Sequence, residues 1–526
     1  MNKDLVKIIL VTTGAVLFNL VFWKEKLAIN TVLFDAFLLS ALFYLYPNAR
    51  QHASVNWLLL GHLVCLAMVV VHNTDLSKIA FFITLLLVAG FAEYAHRSVW
   101  FAGGSVLMNI VMVAASFAEP IRFSKRPAVK GKGISRMIRF AVFPLILLVV
   151  FFCIYRVANS VFSAIAGQIG VQLELFFRYF FDFFSWQRLL FLLLGLLFSG
   201  SILLKSKLDY FSVREARLND RLQRSRKTLT QKRSNAFFQF VELIMGKMAS
   251  GMMALKNENT TGIISLILLN VLLLVVNAID LNFLWLHFSY KIGQPVYKMV
   301  HEGTELLIVS IVLAMAILLF FFKGNLNFYK RNKWLKVGAY AWIIQNAMLV
   351  SSVFLRDYYY ILKHGLAYKR IGVLFFLLMV LVGLFTVFVK IWNRKTNYFL
   401  FRVNAWAGIV VLVLATTIHW DEFIAGYNLK RQNTVELDVE FLLSLSDKAL
   451  PLLDTNITAL QQRERQLKPA SDAEMPACDT CFIEQLKQRE KQFVIKQEQY
   501  SWLSWNYADA YTKKYFQRKK LVAVTK

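Results

Sequence analysis

Blocks of about 20 mostly apolar residues, repeated along the chain and separated by polar connectors, constrain this sequence more than any other feature. A helix needs about 20 such residues to cross a hydrocarbon layer roughly 30 Å thick. Two blocks, Thr261 to Trp285 and Val300 to Phe322, face each other across a short polar turn. Twelve candidate spans are centred on residues 5–23, 27–46, 56–72, 79–95, 99–118, 140–158, 189–204, 261–283, 303–322, 337–355, 371–389 and 403–420. At 57% hydrophobic and 17% charged residues, the composition excludes an ordinary soluble fold. The reading is an all-α polytopic membrane protein of about twelve transmembrane helices with a soluble helical C-terminal tail. Leu5–Trp23 is long enough to span, and no small-residue cleavage pattern follows it.

The net charge of +28 would suggest nucleic acid in a soluble protein. Here the basic residues sit in connectors between apolar runs, so the partner they imply is the lipid bilayer and not nucleic acid. Arg122–Arg139, Arg214–Arg233, Lys323–Lys336 and Lys390–Arg402 bound the four richest connectors. With twelve spans all four fall on one side, which the positive-inside bias makes cytoplasmic and which leaves both termini outside. Lys3 and Lys7 pull weakly the other way, and one miscounted early span would flip the N-terminus while sparing the later topology.

The pattern divides the chain into a five-span bundle (1–118), a two-span segment (119–204), a basic cytoplasmic helical hairpin (205–258), a five-span core (259–420) and a tail (421–526). Within 159–188, six phenylalanines and Trp186 flank Glu174, Arg178 and Asp182, spaced four apart, which predicts an amphipathic helix lying in the outer interface. The tail carries 16 Lys and Arg against 15 Asp and Glu, so nearly all the excess charge precedes it. From Phe482 onward Leu486, Phe493, Tyr500, Leu503, Tyr507, Tyr511 and Tyr515 predict one long amphipathic helix. Phe441, Leu442, Leu445 and Leu450 predict a shorter one before Pro451 for it to pack against.

Ionisable residues at membrane depth are expensive and need a reason. Asp280 ends span eight, His301, Glu302 and Glu305 begin span nine, Arg356 and Asp357 end span ten, and His419, Asp421 and Glu422 end span twelve. The topology turns all these ends outward, which makes Asp280, His301, Glu302, Glu305, Arg356, Asp357, His419 and Asp421 the candidate polar cluster. His301 and Glu305 share a helix face and could form half of a metal site, completed by Asp280, His419 or Asp421. The stretch departs from the His-Glu-x-x-His pattern, so no metal is assigned. Polar residues that cap helices and pair with one another, such as Arg356 with Glu305, are the plainer reading. Asn270, Asn277, Gln345 and Asn346 fit interhelical hydrogen bonds. Asp35, Glu93 and His96 offer a thin case for a proton relay. Cys478 and Cys481 are the one close cysteine pair, suited to a local disulfide in an oxidising compartment.

Leu255–Trp285, Val300–Ala314, the span-twelve exit His419–Arg431 and Val435–Leu453 resemble a group of bacterial polytopic membrane proteins catalogued as a domain of unknown function. The resemblance covers roughly residues 255–455. It implies a multi-pass architecture and a bacterial inner-membrane location, and no activity or cofactor. The leading functional expectation is a non-enzymatic envelope sensor, scaffold or ligand-binding component with a periplasmic tail that could engage an envelope protein partner. A secondary transporter is the alternative, and a membrane enzyme using a His/Glu metal site the third.

Overall fold

A computed structural model describes residues 3–122, 172, 185–205, 209–224, 254–286, 296–322, 324–432, 437–467 and 482–524. The side chains of 3–4, 114–122, 254, 296–305, 463–467 and 520–524 are outside the described set. Every named element among the described residues is helical. In chain order they are α1 (Lys3–Phe22), α2 (Ile29–Leu45), α3 (Ala53–Val71), α4 (Asp75–Tyr94), α5 (Val99–Arg122), α6 (Trp186–Leu203), α7 (Tyr210–Ala216), α8 (Ala254–Asp280) and α9 (Val296–Phe321). There follow α10 (Lys333–His364), α11 (Tyr368–Trp392), α12 (Asn397–Thr416), α13 (Trp420–Lys430), α14 (Val439–Ser444), α15 (Leu450–Thr455), α16 (Ile457–Leu467), α17 (Phe482–Glu498) and α18 (Tyr507–Val524).

Eight of these helices (α1, α3, α4, α6, α8, α10, α11 and α12) are long and apolar enough to cross a membrane, and shorter apolar stretches occupy α2, α5 and α9. Their outer faces fit that setting. On α8, Ile264, Ile267, Leu268, Val271, Leu272 and Val275 are each more than half exposed, a continuous apolar surface that water would not tolerate. Local chemistry ends the helices sharply. Thr74 accepts a bond from Ser77 N at the start of α4 and Thr396 one from Phe399 N at the start of α12, each satisfying an orphan donor. Lys24, Asn73, Ala95 and Arg394 take the left-handed conformation at four tight turns between helices.

Two membrane units pack side by side. The first, α1–α6, is centred on Phe34, Leu38, Leu58, Phe81, Leu85 and Ile202. There α1 and α6 run antiparallel at close range, because a side chain on Gly14 would meet Ser199 Oγ at 2.6 Å and one on Gly195 would meet Phe18 at 2.8 Å. The second unit, α8–α11, is centred on Leu266, Ile311, Leu318, Ala339 and Val380. An amide ladder joins α8 to α10: Gln345 Nε2 donates to Asn270 Oδ1 (2.9 Å), Asn270 to Gly338 O (3.0 Å) and Asn277 to Gln345 O (3.0 Å). Asn346 bonds within its own helix, to Trp342 O. Helix α12 packs on α11 and also on α3, α4 and α5, so it joins the units.

The ends of the helices gather on two faces, and the sorting corrects the expected topology. On the face bearing the basic connectors, Tyr46 donates to Leu203 O, Arg97 to Leu218 O, Trp406 to Arg97 O and Leu222 N to Arg394 O. On the opposite face, Ile29 N bonds Trp505 O, Lys26 N bonds Ser504 Oγ, and His72 Nε2 lies 3.2 Å from Thr417 O. The tail therefore lies beside the α1–α2 and α3–α4 turns, and α1 begins on the basic face. The expectation of both chain ends on one face is not met among the described residues, where α1 begins on the face opposite the tail. Within the first unit, α5 starts on the basic face and α6 on the tail face. The expected single span at 140–158, the aromatic helix proposed for 159–188 and most of the 205–258 hairpin lie outside the described residues.

The tail folds as a third packed unit around Ile424, Leu429, Leu442, Leu450, Leu453, Leu486 and Phe493, and takes Ile361, Leu366 and Ile371 from the α10–α11 turn into its core. The long helix expected from Phe482 is broken between Glu498 and Tyr507. Ser501 caps a short turn at Leu503 N, and Asn506 Oδ1 accepts from Asp509 N to restart the helix. The apolar spacing runs on through this break, which is why periodicity alone reads it as continuous. The shorter helix expected before Pro451 is resolved into α14 and α15, with Pro451 in the first turn of α15, where its missing N–H costs nothing.

Candidate functional site

The expected polar cluster divides in two. Asp280, at the end of α8, pairs with Arg356 on α10, both largely buried. Asp280 is thus a partner of Arg356; the Glu305 side chain, expected to pair with it, lies outside the described set. Asp357, next in sequence, is buried, and the charge of Arg370 acts on it. The side chains of His301, Glu302 and Glu305 on α9 are outside the described set, as are Cys478 and Cys481. Among the described residues no three His, Cys, Asp or Glu side chains group closely enough to hold a metal ion.

His419 and Asp421 lie elsewhere, where the exit of α12 passes beneath the tail. His419 is the N-cap of α13, its Nδ1 accepting from Glu422 N at 3.3 Å. Asp421 accepts a bond from the Ser446 hydroxyl, which ties α13 to the α14–α15 turn. Lys448, from that same turn, reaches across the seam and donates to Asn73 O at the α3–α4 turn. Asn73 closes α3 in the left-handed conformation and donates to Leu27 O (2.5 Å), joining two turns of the first unit. On the tail side, Asp509 accepts from Asn506 (3.0 Å), Gln497 (3.0 Å) and Lys26 (3.4 Å). Ser504 donates to Glu25. The tail is thus fastened to the first membrane unit by polar contacts with the α1–α2 and α3–α4 turns.

These contacts frame a cleft of about 370 Å³ lined by His72, His419, Glu422, Lys448, Tyr507 and Tyr511, among others. The size is within the range of small-molecule sites, which are roughly 300–1,000 Å³. Burial, with the charge of Lys448 and the nearby His72 adding to it, lowers the pKa of His419 to about 4. The imidazole is therefore neutral at pH 7. Since its Nδ1 lone pair is spent on the cap, the proton sits on Nε2. That Nε2–H is buried and has no hydrogen-bond partner among the described residues. An unmet buried donor costs about 1–3 kcal/mol. Burial likewise lowers Lys448 to about 8, with Asp509, Asp421 and Asp75 opposing the shift. Burial would raise Asp509, but its bond from Asn506 and the charges of Lys26 and Lys448 outweigh that and hold it below the usual carboxylate range. The cleft thus presents one cation and one unsatisfied N–H, beside tyrosine rings stacked a turn apart on α18.

A second polar knot lies on the basic face. Glu215 of α7 contacts His96 Nδ1 (2.5 Å), accepts from Ser98 N (2.8 Å) and takes the hydroxyl of Tyr398. His96 Nε2 lies 2.7 Å from Ser105 Oγ, and Asn109 donates to Glu93 (2.5 Å). Burial opposes ionisation of Glu215, but the bonds from His96 and Tyr398 more than offset it and lower its pKa. These bonds make the knot a staple between α7, the α4–α5 turn and α12.

Sequence reasoning found His419 and Asp421 but missed His72, Asn73, Lys448 and Asp509. Lys448 had a signal: it is one cation in the leucine-rich stretch Phe441–Leu453. For His72 and Asp509 no local signal exists, because only docking of the tail buries them.

Apolar outer faces, buried polar ladders and left-handed turns together define a multi-pass helical membrane protein. More particularly, the chain belongs to the family described as Domain of unknown function (DUF4153), whose model matches residues 35–456. The match extends the resemblance seen from residue 255 back into the first unit. It takes in His72, His419 and Lys448 and stops short of α17 and α18. No curated protein and no solved structure matches the chain.

Proposed function

We propose that the protein is a non-enzymatic ligand-binding component of the bacterial inner membrane, with its site in the cleft between the tail and the bundle. Positive-inside bias makes the basic face cytoplasmic and puts the tail in the periplasm. The observation that carries the reading is the unpartnered His419 Nε2–H beside Lys448 in a cleft walled by three separate parts of the chain. A ligand that supplies an oxygen acceptor satisfies both groups, and it touches the tail and two inter-helix turns at once. Occupancy would then be felt as a change in tail docking, which is what a sensor or a partner-recruiting scaffold requires.

The test screens fractions of a polar small-molecule extract against the full chain in lipid nanodiscs, by thermal unfolding. A fraction that raises the Tm of the wild type but not of Tyr511→Trp, which fills the cleft, supports the reading. If no fraction stabilises the wild type, or if one stabilises both equally, the cleft is not the site.

A further inference from the structure

The first membrane unit holds a buried pair that the cleft does not use. His62, Asp35 and Thr84 are at most 1% exposed and lie near the middles of α3, α2 and α4. His62 Nε2 is 3.0 Å from Asp35 Oδ1, and His62 Nδ1 is 2.9 Å from Thr84 Oγ1. Nine residues of helix separate His62 from the start of α3, about 14 Å at 1.5 Å per residue. Both ionisable groups therefore sit at mid-depth, where a net charge is costly and its presence marks function by default.

Proton bookkeeping at this site is restrictive. Where the Thr84 hydroxyl gives its one hydrogen to the carbonyl of Ala80 (2.8 Å) or Phe81 (3.1 Å), its oxygen accepts from His62. Nδ1 must then carry a proton. One further proton lies between Nε2 and Asp35, either on nitrogen as an imidazolium–carboxylate pair or on oxygen as a carboxylic acid bonded to neutral imidazole. Both arrangements are neutral overall. Removing that proton leaves an uncompensated carboxylate at mid-depth.

Among the described residues no other ionisable side chain compensates the pair. Residues 8–22 of α1, 99–113 of α5, 189–203 of α6 and 403–416 of α12 contain no Asp, Glu, Lys, Arg or His. On α3 the nearest titratable group is the buried Cys65, which contacts Thr84 and Thr416. On α4 the nearest are Lys78 and Glu93, six and nine residues from Thr84 in opposite directions. Asp35 Oδ2 is buried with no hydrogen-bond partner among the described residues. A cavity of about 180 Å³ lined by Phe18, Phe22, Phe34, Phe81 and Phe198 lies between these helices, with Glu25 of the tail face in its wall. The Phe81 ring, which lines that cavity, also packs on the His62 ring with centroids 5.1 Å apart.

We infer that Asp35, His62 and Thr84 form a proton-binding site inside the membrane, exchanging one proton with the tail face past Phe81. The first unit then does more than anchor the tail: it holds a proton-binding pair at a depth where net charge is energetically costly.

The experiment counts protons. Full-length wild type and Asp35→Asn, both in nanodiscs, are titrated between pH 4 and 10 and the protons bound per molecule are compared. Asparagine preserves the hydrogen bond by donating to Nε2, so a purely structural role predicts equal Tm and equal proton counts. The inference expects equal Tm but one proton fewer in the variant. Equal counts overturn it. Should Asp35→Asn not fold, the wild type alone decides through the ¹⁵N resonance of His62 Nε2, assigned by its loss in His62→Gln. A resonance that moves with pH supports the site, and one fixed across the range overturns it.

Discussion

Acidification should loosen the tail through His419. Docked, its pKa is about 4; freed from the seam it returns towards the ordinary value near 6.5. A base whose pKa is lowered on docking binds fewer protons docked than undocked, so docking weakens as pH falls from 6.5 towards 4. Between pH 7 and pH 5 the difference reaches at most about 2 kcal/mol, or roughly a 20-fold lower ratio of docked to undocked tail. Burial also lowers His72, which acts in the same direction. Burial raises Glu422, which opposes it, but that side chain is half exposed and its contribution is screened. Asp509 is held low and Lys448 titrates near 8, so neither changes charge in this window. Hydrogen exchange, corrected for its intrinsic pH dependence, should show faster opening of peptides over 437–455 and 507–519 at pH 5. His419→Asn retains a capping side chain and removes the titration, so its opening should be the same at both pH values. Unchanged wild-type protection, or an equal loss in His419→Asn, would refute the argument.

Three further outcomes follow from the packing. Single cysteines at Lys24 and Gln499 should react with a membrane-impermeant label from one side, and cysteines at Lys3 and Arg217 only from the other; shared reactivity of Lys3 and Lys24 would restore both chain ends to one face. Arg356→Met strands the Asp280 carboxylate and should cost about 3 kcal/mol in detergent unfolding, while Arg356→Met with Asp280→Asn should recover most of it; a double variant no better than the single one would count against the pairing. Gly195→Leu drives a side chain into Phe18 and should destabilise the first unit by about 1–3 kcal/mol, read as earlier loss of its near-ultraviolet signal.

Much of the architecture was legible because membrane insertion depends on local composition. A run such as Ile263–Val276 has to be a helix in lipid whatever packs beside it, since its own backbone supplies every hydrogen bond. The pairing of Asn270 with Gln345 was equally readable in kind, because an amide at that depth must find another polar group. The choice of partner was not: Arg356 is compatible by position with Asp280 as well as with Glu305, and only packing brings Asp280 to it. Topology failed for a related reason. Positive-inside counting is additive over spans, so it could not by itself fix where α1 begins; Lys3 and Lys7 pointed weakly to the basic face, and the packing of α1 against α6 places its start there.

The sequence by itself determined that this chain spans a lipid bilayer many times, that it ends in a charge-balanced helical tail, and that it carries DUF4153 features from the eighth apolar block onward. Those properties depend on residues close together in the chain. Tertiary structure alone decided that His72, His419 and Lys448 share one cleft and that His62 meets Asp35, because these groups come from segments 27 to 376 residues apart. Burial and a fixed partner, which give such side chains their chemistry, exist only once the helices have packed.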